Sequence, residues 1–226
     1  MSTGEQQLGS WHEQSYVAQW AEDDVVADML DLPRKISTAL VAADGVDVEH
    51  VIDLGSGHGP YLALFLRTFP RARGTWVDSS EPMLDLARER LAEFGDRIEY
   101  VVADVERLAD VELEPAQVIV SSRALHHSSP DVLAEIYRAC FEATAPGGFL
   151  FNLDHVGAQG EWDERLRAIR KQFVGKRRSE LAPHRDPDRL ASMEEHLERI
   201  AAAGYETPDV VWRMFYTVLL AARRGD

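Results

Sequence analysis

Residues 51–59 read VIDLGSGHG, an apolar run that leads directly into a glycine-rich loop. The run begins near residue 48 and is as short and apolar as a buried parallel strand usually is. Glycines at the C-terminal end of such a strand let a ligand approach the backbone, and Pro60 opens a helix whose first N–H groups are free. This stretch therefore predicts a ligand-binding crevice at one edge of an α/β sheet.

The loop departs from a plain dinucleotide-binding pattern in two ways. The pattern G-x-G-x-x-G/A has a small residue at its sixth position, where this chain has Pro60. Asp53 stands just before the glycines, and its carboxylate would repel a pyrophosphate but attract a cationic or amine-bearing ligand. A Rossmann oxidoreductase with a nicotinamide cofactor is therefore a disfavoured alternative.

Strand patterns alternate with helix patterns along the chain. Strands are predicted over residues 48–54, 74–77, 98–102, 116–120 and 149–153, and helices over 60–69, 82–94 and 131–145. Such alternation indicates a doubly wound α/β fold with a mainly parallel sheet. Two β-rich runs within residues 209–223 have little room between them and predict a terminal hairpin, which gives seven strands with an antiparallel terminal strand.

Helices precede and follow this alternation. Residues 15–43 predict two helical segments with a break near Leu32-Pro33, because proline interrupts a helix. The helix over 131–145 is expected to stop at Pro-Gly-Gly, residues 146–148. Residues 154–204 predict two amphipathic helices around a loop at 183–187.

The charge balance and the cysteine content exclude several classes of protein. The chain has 24 basic and 39 acidic side chains, a formal net charge of −15 that opposes nucleic-acid binding. One cysteine, Cys140, allows no intrachain disulfide and fits a reducing compartment. No apolar run is long enough to span a bilayer, and the N-terminus lacks the pattern of a secretory signal. We therefore expect a cytoplasmic protein with no nucleic-acid or membrane partner.

One basic cluster stands out within residues 165–178. Its members are Arg167, Arg170, Lys171, Lys176 and Arg177. The cluster is either a solvated helix face flanked by acids or an anion-binding rim for an acidic substrate. The sequence leaves both interpretations open.

Carboxylates end the next two predicted strands as well. Asp78 ends the strand GTWVD, where it could accept hydrogen bonds from both hydroxyls of a ribose. Asp104 ends the third strand, where it could accept the exocyclic amine of an adenine, with Val105 beside the ring. The alternative for each is an ordinary helix cap. Together with Asp53, the three acids are expected to form one wall of the crevice.

The main motifs of the chain are VIDLGSGHG, WVDSS with EPMLDLARER, VVADV, VIVSSRALHH and the helix ending in APGG. The order and spacing of these motifs resemble those of the class I (Rossmann-like) S-adenosylmethionine-dependent methyltransferases. The resemblance covers about residues 48–153. It implies a set of residues that bind S-adenosylmethionine from its methionyl end to its adenine: Asp53, Gly55, Ser56, Gly57, Ser121, Asp78, Ser79, Met83, Asp104 and Val105. One departure is Gln117, where the family often has an acid that opens the fourth strand, a position that is usually structural.

The fourth strand leads into SSRALHH, residues 121–127, which in this family lines the gap between the sulfonium and the methyl acceptor. His126 and His127 are candidate general bases because imidazole titrates near neutrality. We expect His126 to touch the cofactor and His127 to reach the acceptor. Alternatively, one ring packs against the cofactor and the other caps the next helix. The spacing of these histidines, Asp154 and His155 is not diagnostic of a metal site, and we expect none.

The resemblance also divides this single domain by role. It implies a helical lid over residues 1–44, a cofactor-binding core over 48–153, a substrate-pocket insertion over 154–204 and a terminal hairpin over 205–226. Tyr16 in the lid is a third catalytic candidate. The substrate-binding candidates are Trp11, Arg123, His155, Trp162 and Arg213. Weaker candidates, for which core or helix packing is the alternative, are Trp20, Phe173, His184, Arg185, Trp212, Phe215 and Tyr216.

Methyl transfer from a sulfonium depends mainly on positioning, and a base is needed only for a hydroxyl or a protonated amine. We expect transfer to the oxygen, nitrogen or carbon of a small molecule, by a monomer or homodimer. Two alternatives remain. One is a non-catalytic S-adenosylmethionine-binding protein. The other is chemistry on a modified S-adenosylmethionine, since the closing segment VVWRMFYTVLLAAR faintly resembles enzymes that carboxylate the cofactor.

Overall fold

Seven strands form one sheet in the computed structural model, which describes residues 11–22, 27–158, 160–174 and 190–226. The strands are β1 (His50–Leu54), β2 (Arg73–Asp78), β3 (Ile98–Val102), β4 (Ala116–Ser122), β5 (Thr144–His155), β6 (Glu206–Met214) and β7 (Thr217–Arg223). Their order is β3-β2-β1-β4-β5-β7-β6. β1 to β5 pair in parallel, and β7 is antiparallel to both β5 and β6. The predicted doubly wound class is confirmed.

Helices cover both faces of this sheet. The described helices are α1 (Gln14–Glu22), α2 (Ala27–Asp44), α3 (Pro60–Thr68), α4 (Glu81–Arg90), α5 (Pro130–Ala143), α6 (Glu161–Val174) and α7 (Met193–Ala203), with 3-10 helices at Ala92–Arg97, Val105–Asp110 and Leu125–His127. Along β1, Val51 packs on the face with α2, α3 and α4, whereas Ile52 packs on the face with α5 and α7. Burial on both faces explains the continuous apolar character of the strand. None of the described helices is long and apolar enough to cross a membrane.

Pro33 does not break the N-terminal helical region, so this part of the sequence prediction is wrong. α2 runs from Ala27 through Pro33 to Asp44. A proline inside a helix costs about 3 kcal/mol. Leu30 and Val41 on the same helix are almost fully buried in the core, which contributes about 1.5–3 kcal/mol each. Burial of the apolar face therefore offsets the proline.

The boundary between α5 and β5 also differs from the prediction. The helix ends at Ala143, and the Pro-Gly-Gly at 146–148 lies inside β5 rather than beyond a helix end. A Cβ on Gly148 would lie 2.8 Å from the carbonyl oxygen of Gln117. The second glycine is therefore required by the close approach of β5 to β4, and the pairing of these strands shifts register at the same place.

Gln117 has a structural role at the opposite end of β4 from the predicted crevice. Its Oε1 accepts hydrogen bonds from the backbone N–H groups of Glu49 (3.1 Å) and His50 (2.9 Å). An amide oxygen thus accepts the two donors that open β1. Although Gln117 replaces the acid typical of the family at this position, both N–H groups have an acceptor.

The C-terminal part agrees with the predicted pattern. α6 and α7 are the two helices expected within residues 154–204, while the loop at 183–187 lies outside the described residues. β6 and β7 form the predicted hairpin, joined at Phe215 and Tyr216. Phe215 has a φ of +56°, and the N–H of Val156 donates to the carbonyl of Tyr216 (2.8 Å). This bond attaches the hairpin turn to the end of β5.

Candidate active site

One cavity lies at the C-terminal ends of β1, β2 and β4, beside the loop that follows β3. The space open to the centres of water molecules is about 220 Å³. The residues from the sequence analysis that line it are Trp11, Asp53, Gly55, Ser56, Gly57, Asp78, Ser79, Met83, Asp104, Val105, Arg123 and His127. The cavity opens where the strand order reverses between β1 and β4, which is where doubly wound sheets bind their ligands.

Asp53 is buried at the base of this cavity. Its Oδ2 accepts hydrogen bonds from the Ser56 hydroxyl (2.7 Å) and from the N–H of Leu62 in α3 (3.1 Å). Its Oδ1 accepts none from the residues that the structure describes. Burial raises the pKa of Asp53 to about 7, although the Ser56 hydrogen bond and the charge of Arg34 act in the opposite direction. An oxygen without a donor is matched to a ligand that brings an ammonium or another N–H group.

The glycine loop passes close to the end of β4. Gly55 has a φ of +59°, and a Cβ there would lie 2.3 Å from the Cβ of Ala124. The loop is held further by the N–H of Ser56, which donates to the carbonyl of Val77 (3.1 Å). Gly55 is therefore required for packing against the chain that follows β4 as well as for access by a ligand.

Asp78 at the end of β2 holds the same loop. Its Oδ2 accepts from the N–H of Gly57 (2.8 Å) and its Oδ1 from the N–H of Ser80 (2.9 Å). Burial raises the pKa of Asp78 against these hydrogen bonds. The cap of α4 is Ser80, whose hydroxyl accepts from the N–H of Met83 (3.2 Å). Asp78 is thus not the helix cap, and its carboxylate lines the cavity, where it can also accept from a ligand hydroxyl.

Asp104 combines the two roles that the sequence left open. Its Oδ1 accepts from the N–H of Glu106 (2.9 Å) and caps the short helix Val105–Asp110. The same residue and Val105 line the cavity. The second carboxylate oxygen of Asp104 is available to a ligand amine.

The end of β4 divides its residues between the sheet and the cavity. Ser121 is fully buried, and its hydroxyl donates to the carbonyl of Leu54 (2.9 Å), so the structure does not place it on the cavity wall. The next residues, Ser122 and Arg123, do line the cavity. Arg123 has a φ of +56°, and its N–H donates to the carbonyl of Leu153 (2.9 Å). This backbone turn directs the chain across the C-terminal edge of β5.

The two histidines have different surroundings. His127 lines the cavity, but His126 does not. Nδ1 of His126 lies 2.5 Å from Oδ1 of the fully buried Asp154, whose Oδ2 accepts the His126 N–H (2.9 Å). Burial raises the pKa of Asp154, but the charge and hydrogen bonds of His126 and the N–H of His155 outweigh it, so the pKa lies below its usual value. The structure thus places His127 on the cavity wall, where it was expected to reach the acceptor, and places His126 off the wall, away from its expected contact with the cofactor.

The N-terminal segment contributes Trp11 to the cavity wall. The Trp11 carbonyl accepts from the Ser80 hydroxyl (2.5 Å), and its ring meets Tyr16 edge-on with centroids 5.3 Å apart. Tyr16 itself does not line the cavity. Its position supports Trp11 rather than the reacting centre. The side chain of Trp20 lies outside the described residues.

The remaining substrate candidates lie elsewhere. Trp162, Arg213 and Phe215 line a second cavity, and His155 lines neither cavity. The ring of His155 lies 5.0 Å from the rings of both His126 and Tyr216. The other members of the weaker set, the Phe173 side chain, His184 and Arg185, fall outside the described residues, and Trp212 packs against the core.

Part of the basic cluster is engaged with acids on its own helix. In α6, Arg167 lies 2.7 Å from Asp163, and the neighbouring Arg165 lies 2.5 Å from Glu161. The guanidinium groups of Arg167 and Arg170 each lie 5.2 Å from the centroid of the Tyr216 ring. These contacts favour the solvated helix face, and residues 175–178 lie outside the described residues.

Sequence reasoning missed four residues on the cavity wall: Arg34, Tyr61, Glu106 and Ser128. Four more belong to the stretches 51–60 and 121–127 that the sequence analysis singled out but were not named as site residues: His58, Pro60, Ser122 and Ala124. Arg34 is the most informative, because it is buried at 6% exposure, donates to the Ser122 hydroxyl (3.2 Å) and lies 5.7 Å from the Tyr61 ring. A signal was present in the sequence. Leu30, Arg34 and Val41 share one face at helical spacing, and a charge within an apolar stripe indicates a buried, partnered cation.

Comparison with known proteins shows which family the core of this chain is similar to. A family model described as a methyltransferase domain matches residues 51–148. The aclacinomycin 10-hydroxylase RdmB of Streptomyces purpurascens is 34% identical over 55% of this chain, which spans only 33% of that relative. The carboxy-S-adenosyl-L-methionine synthase of Aeromonas salmonicida is 25% identical over 90% of this chain and 89% of the relative. An O-methyltransferase family protein from Burkholderia thailandensis has the same fold, with a TM-score of 0.70 at 21% identity over 94% of this chain and 59% of that one.

The names of these proteins differ in the reaction. The segment that the family model matches is residues 51–148. It contains the glycine loop and the strand ends that carry Asp53, Asp78 and Asp104. The sheet order, the cavity at its switch point and this motif set agree with one another. By its fold and by the methyltransferase-domain match over residues 51–148, the core of this chain is similar to the class I S-adenosylmethionine-dependent methyltransferases.

Proposed function

We propose that the chain transfers the methyl group of S-adenosylmethionine to a small-molecule acceptor. The observation that carries the proposal is the row of three carboxylates, Asp53, Asp78 and Asp104, at the ends of successive strands in one cavity. Asp53 Oδ1 is buried with no donor among the described residues. Because such an atom costs free energy until a donor reaches it, the ammonium of a methionyl group fits this position.

The other carboxylates extend the fit along the cavity. Asp78 would accept the ribose hydroxyls while it keeps the N–H groups of Gly57 and Ser80. Asp104 would accept the adenine amine on the oxygen that does not cap the helix. The spacing of these acids along the strand ends supports an elongated ligand with an amine at both ends.

Bound S-adenosylmethionine supplies a methyl group that is already activated, so the chain has to orient the acceptor, exclude water and accept a proton where the acceptor is a hydroxyl or an ammonium. Two histidines, His58 and His127, line the cavity. His127, in the loop after β4, would take that proton. His126, held by Asp154, packs against it with ring centroids 3.9 Å apart. Trp11 would cover the cavity, and Arg123 would border the acceptor.

The test begins with binding. Isothermal titration should show one S-adenosylmethionine per chain, and the nicotinamide dinucleotide NAD should not bind. The purified protein should then release S-adenosylhomocysteine when it is mixed with methyl-labelled donor and a low-molecular-weight extract. A protein that binds donor but never releases S-adenosylhomocysteine would support the non-catalytic alternative. A protein that binds no donor would overturn the proposal.

A second candidate is modification of S-adenosylmethionine itself. It is favoured by the match to a carboxy-S-adenosyl-L-methionine synthase, which extends over nearly the whole of both chains. The hairpin segment that resembles such enzymes, however, places Arg213 in the second cavity and not beside the three carboxylates. Mass spectrometry of the nucleoside product separates the two candidates, because only this one yields a carboxylated sulfonium.

The proposal includes a cytoplasmic setting, a monomer or homodimer and no nucleic-acid or membrane partner. Cys140 is buried, and burial raises the pKa of its thiol to about 12, so it stays a protonated, unreactive thiol. Size-exclusion chromatography with light scattering would determine the oligomeric state. Gel-shift and liposome-flotation assays should show no binding.

A further inference from the structure

A second cavity lies where the end of β5 meets α6, the start of α7 and the β6–β7 turn. We call it the hairpin cavity and define it by Val156, Trp162, Leu166, Met193, Arg213 and Phe215. The space open to water centres is about 670 Å³, and among the described residues it shares no lining residue with the first cavity. We propose that the hairpin cavity binds a planar organic anion, of the class of aromatic carboxylates, independently of S-adenosylmethionine.

The walls of the hairpin cavity suit a flat apolar body. Trp162 is 60% exposed and is the only aromatic among the strongly exposed large hydrophobic side chains of the described residues. A ring exposed at the mouth of a cavity gains from a ligand that covers it. Leu166, Met193 and Phe215 supply further apolar surface, and the Arg165 guanidinium, 5.5 Å from the Trp162 centroid, leaves one ring face for the ligand.

Arg213 supplies the charge that selects an anion. Its Nε donates to the carbonyl of Phe215 (3.0 Å), and its Nη atoms make no hydrogen bond or ion pair to the described residues. Arg165 and Arg167 nearby are engaged with Glu161 and Asp163. An arginine that is fixed through Nε and open at both Nη groups presents the fork that a carboxylate matches.

One acidic side chain also lines the hairpin cavity. Glu194 is exposed in the first turn of α7. Its carboxylate opposes an anion, but it would accept a hydrogen bond from a hydroxyl or an amine elsewhere on the ligand. The cavity therefore favours a hydroxylated or amino-substituted aromatic acid over a simple one.

The backbone that carries Arg213 and Phe215 is held rigid. Phe215 adopts a φ of +56°, which is unfavourable for a side chain of this size. The Arg213 bond to its carbonyl and the Val156 bond to Tyr216 keep the turn in this conformation. Strained backbone that is fixed from two sides is typical of ligand-binding positions, since it places side chains before the ligand arrives.

A row of aromatic rings lies between the two cavities, and this arrangement makes ligand binding in one independent of ligand binding in the other. His155 and Tyr216 line neither cavity, and their ring centroids are 5.0 Å apart. The ring of His126 lies 5.0 Å from the His155 ring and 3.9 Å from the ring of His127, which lines the first cavity. Two ligands can therefore be bound at the same time, and this inference does not rest on methyl transfer.

Calorimetry with 2-naphthoate as the probe tests the inference, with the neutral 2-naphthamide as its control. One naphthoate should bind per chain, more tightly than the amide, with or without saturating S-adenosylhomocysteine. Arg213→Gln and Trp162→Ala should each raise the naphthoate Kd about five- to tenfold, the scale for a charge-assisted contact at an exposed site. Matched changes of exposed side chains elsewhere, Arg90→Gln and Leu32→Ala, should leave it unchanged.

Four results would overturn the inference: no naphthoate binding at millimolar concentration, equal affinity for the amide, unchanged affinity in Arg213→Gln, or displacement of naphthoate by S-adenosylhomocysteine. Trp162 is exposed, so the thermal melt of Trp162→Ala should match the parent protein. Arg213→Gln also removes the exposed bond to the Phe215 carbonyl, so its melting point should fall by about 2–4 °C, the scale of one hydrogen bond, and it stays folded at the temperature of the titration. Failure of the methyl-transfer proposal would be seen separately, as absence of S-adenosylmethionine binding.

Discussion

Oδ1 of Asp154 lies 2.5 Å from Nδ1 of His126, and its Oδ2 accepts the backbone N–H of the same histidine. Asp154 is fully buried, and Oδ1 also accepts the N–H of His155 (2.8 Å). The carboxylate therefore joins the end of β5 to the loop after β4. The adjacent His127 lines the cavity.

This difference predicts opposite outcomes for two neighbouring substitutions. His126→Ala should lower the free energy of unfolding by roughly 3–5 kcal/mol, because it leaves a buried carboxylate without its partner. His127→Ala should leave stability nearly unchanged but lower turnover about 10²–10⁴-fold if the acceptor is a hydroxyl. Urea denaturation and single-turnover rates at saturating donor measure the two effects.

The double variant His126→Ala, Asp154→Asn is the control. Removing the charge together with its partner should restore part of the stability lost in His126→Ala. Equal stability of His126→Ala and His127→Ala would show that the contact with Asp154 does not stabilise the fold.

A substitution in the glycine loop separates backbone strain from steric conflict. Gly45 and Gly55 both have positive φ, +71° and +59°, but of the two only Gly55 would bring an added Cβ within 4 Å of a neighbour, Ala124 at 2.3 Å. Gly45→Ala should cost about 1–2 kcal/mol from the φ alone. Gly55→Ala should cost clearly more and should abolish donor binding, and Ala124→Gly in the same chain should recover part of the loss. Thermal melts of the three variants measure the difference, and equal melting points for Gly45→Ala and Gly55→Ala would rule out the steric conflict.

Asp78 should contribute strongly to donor affinity. Asp78→Asn keeps the size of the side chain but weakens acceptance from ligand hydroxyls, so affinity should fall by roughly 1.5–3 kcal/mol. Asp110→Asn is a matched control, because Asp110 is an exposed acid paired with Arg107 and does not line the cavity. Calorimetry measures both variants. An unchanged affinity in a folded Asp78→Asn protein would remove this residue from the site.

Donor binding should depend on pH through Asp53. Burial raises its folded pKa to about 7 from 3.8, so the folded protein holds a proton that the unfolded chain has lost between these values. Through this group, stability of the ligand-free protein therefore falls as pH rises from about 4 to 7. An ammonium ligand favours the ionised form, so donor affinity should rise about tenfold between pH 6 and pH 8.

Buffers of different ionisation enthalpy provide the measurement for Asp53. Near pH 7, donor binding should release a fraction of a proton, which calorimetry detects as a buffer-dependent heat. Asp53→Asn should remove that dependence. If the dependence persists in this variant, another group, such as the neighbouring Asp78, carries the proton.

The strands and the glycine loop could be predicted because their signals are local. The apolar run before Gly55 and the acids at the strand ends are recognisable from short stretches of sequence, and the acids line one cavity in the structure. Pro33 could not be placed correctly, since tertiary burial of Leu30 and Val41 outweighs a local penalty. Pro-Gly-Gly in β5 has the pattern of a helix stop but is required by the approach of β4.

Side-chain direction explains most of the differences at the site. Ser121 and Ser122 are neighbours in a strand and therefore point to opposite sides, but the sequence does not show which one faces the ligand. Arg34 comes from a helix far away in the chain, and its contact with Ser122 has no local signal beyond a charge in an apolar stripe. The distant pairing of His126 with Asp154 was hidden for the same reason.

The place of β7 in the sheet affects the order in which the protein can be assembled during synthesis. β7 lies between β5 and β6, and it alone runs antiparallel. Until the ribosome has made Thr217–Arg223, β5 has an open edge whose Phe151 and Leu153 will later be fully buried. The nascent chain therefore carries an open, apolar strand edge from the synthesis of His155 to that of Thr217, and a stall in this interval would favour aggregation or capture by a chaperone.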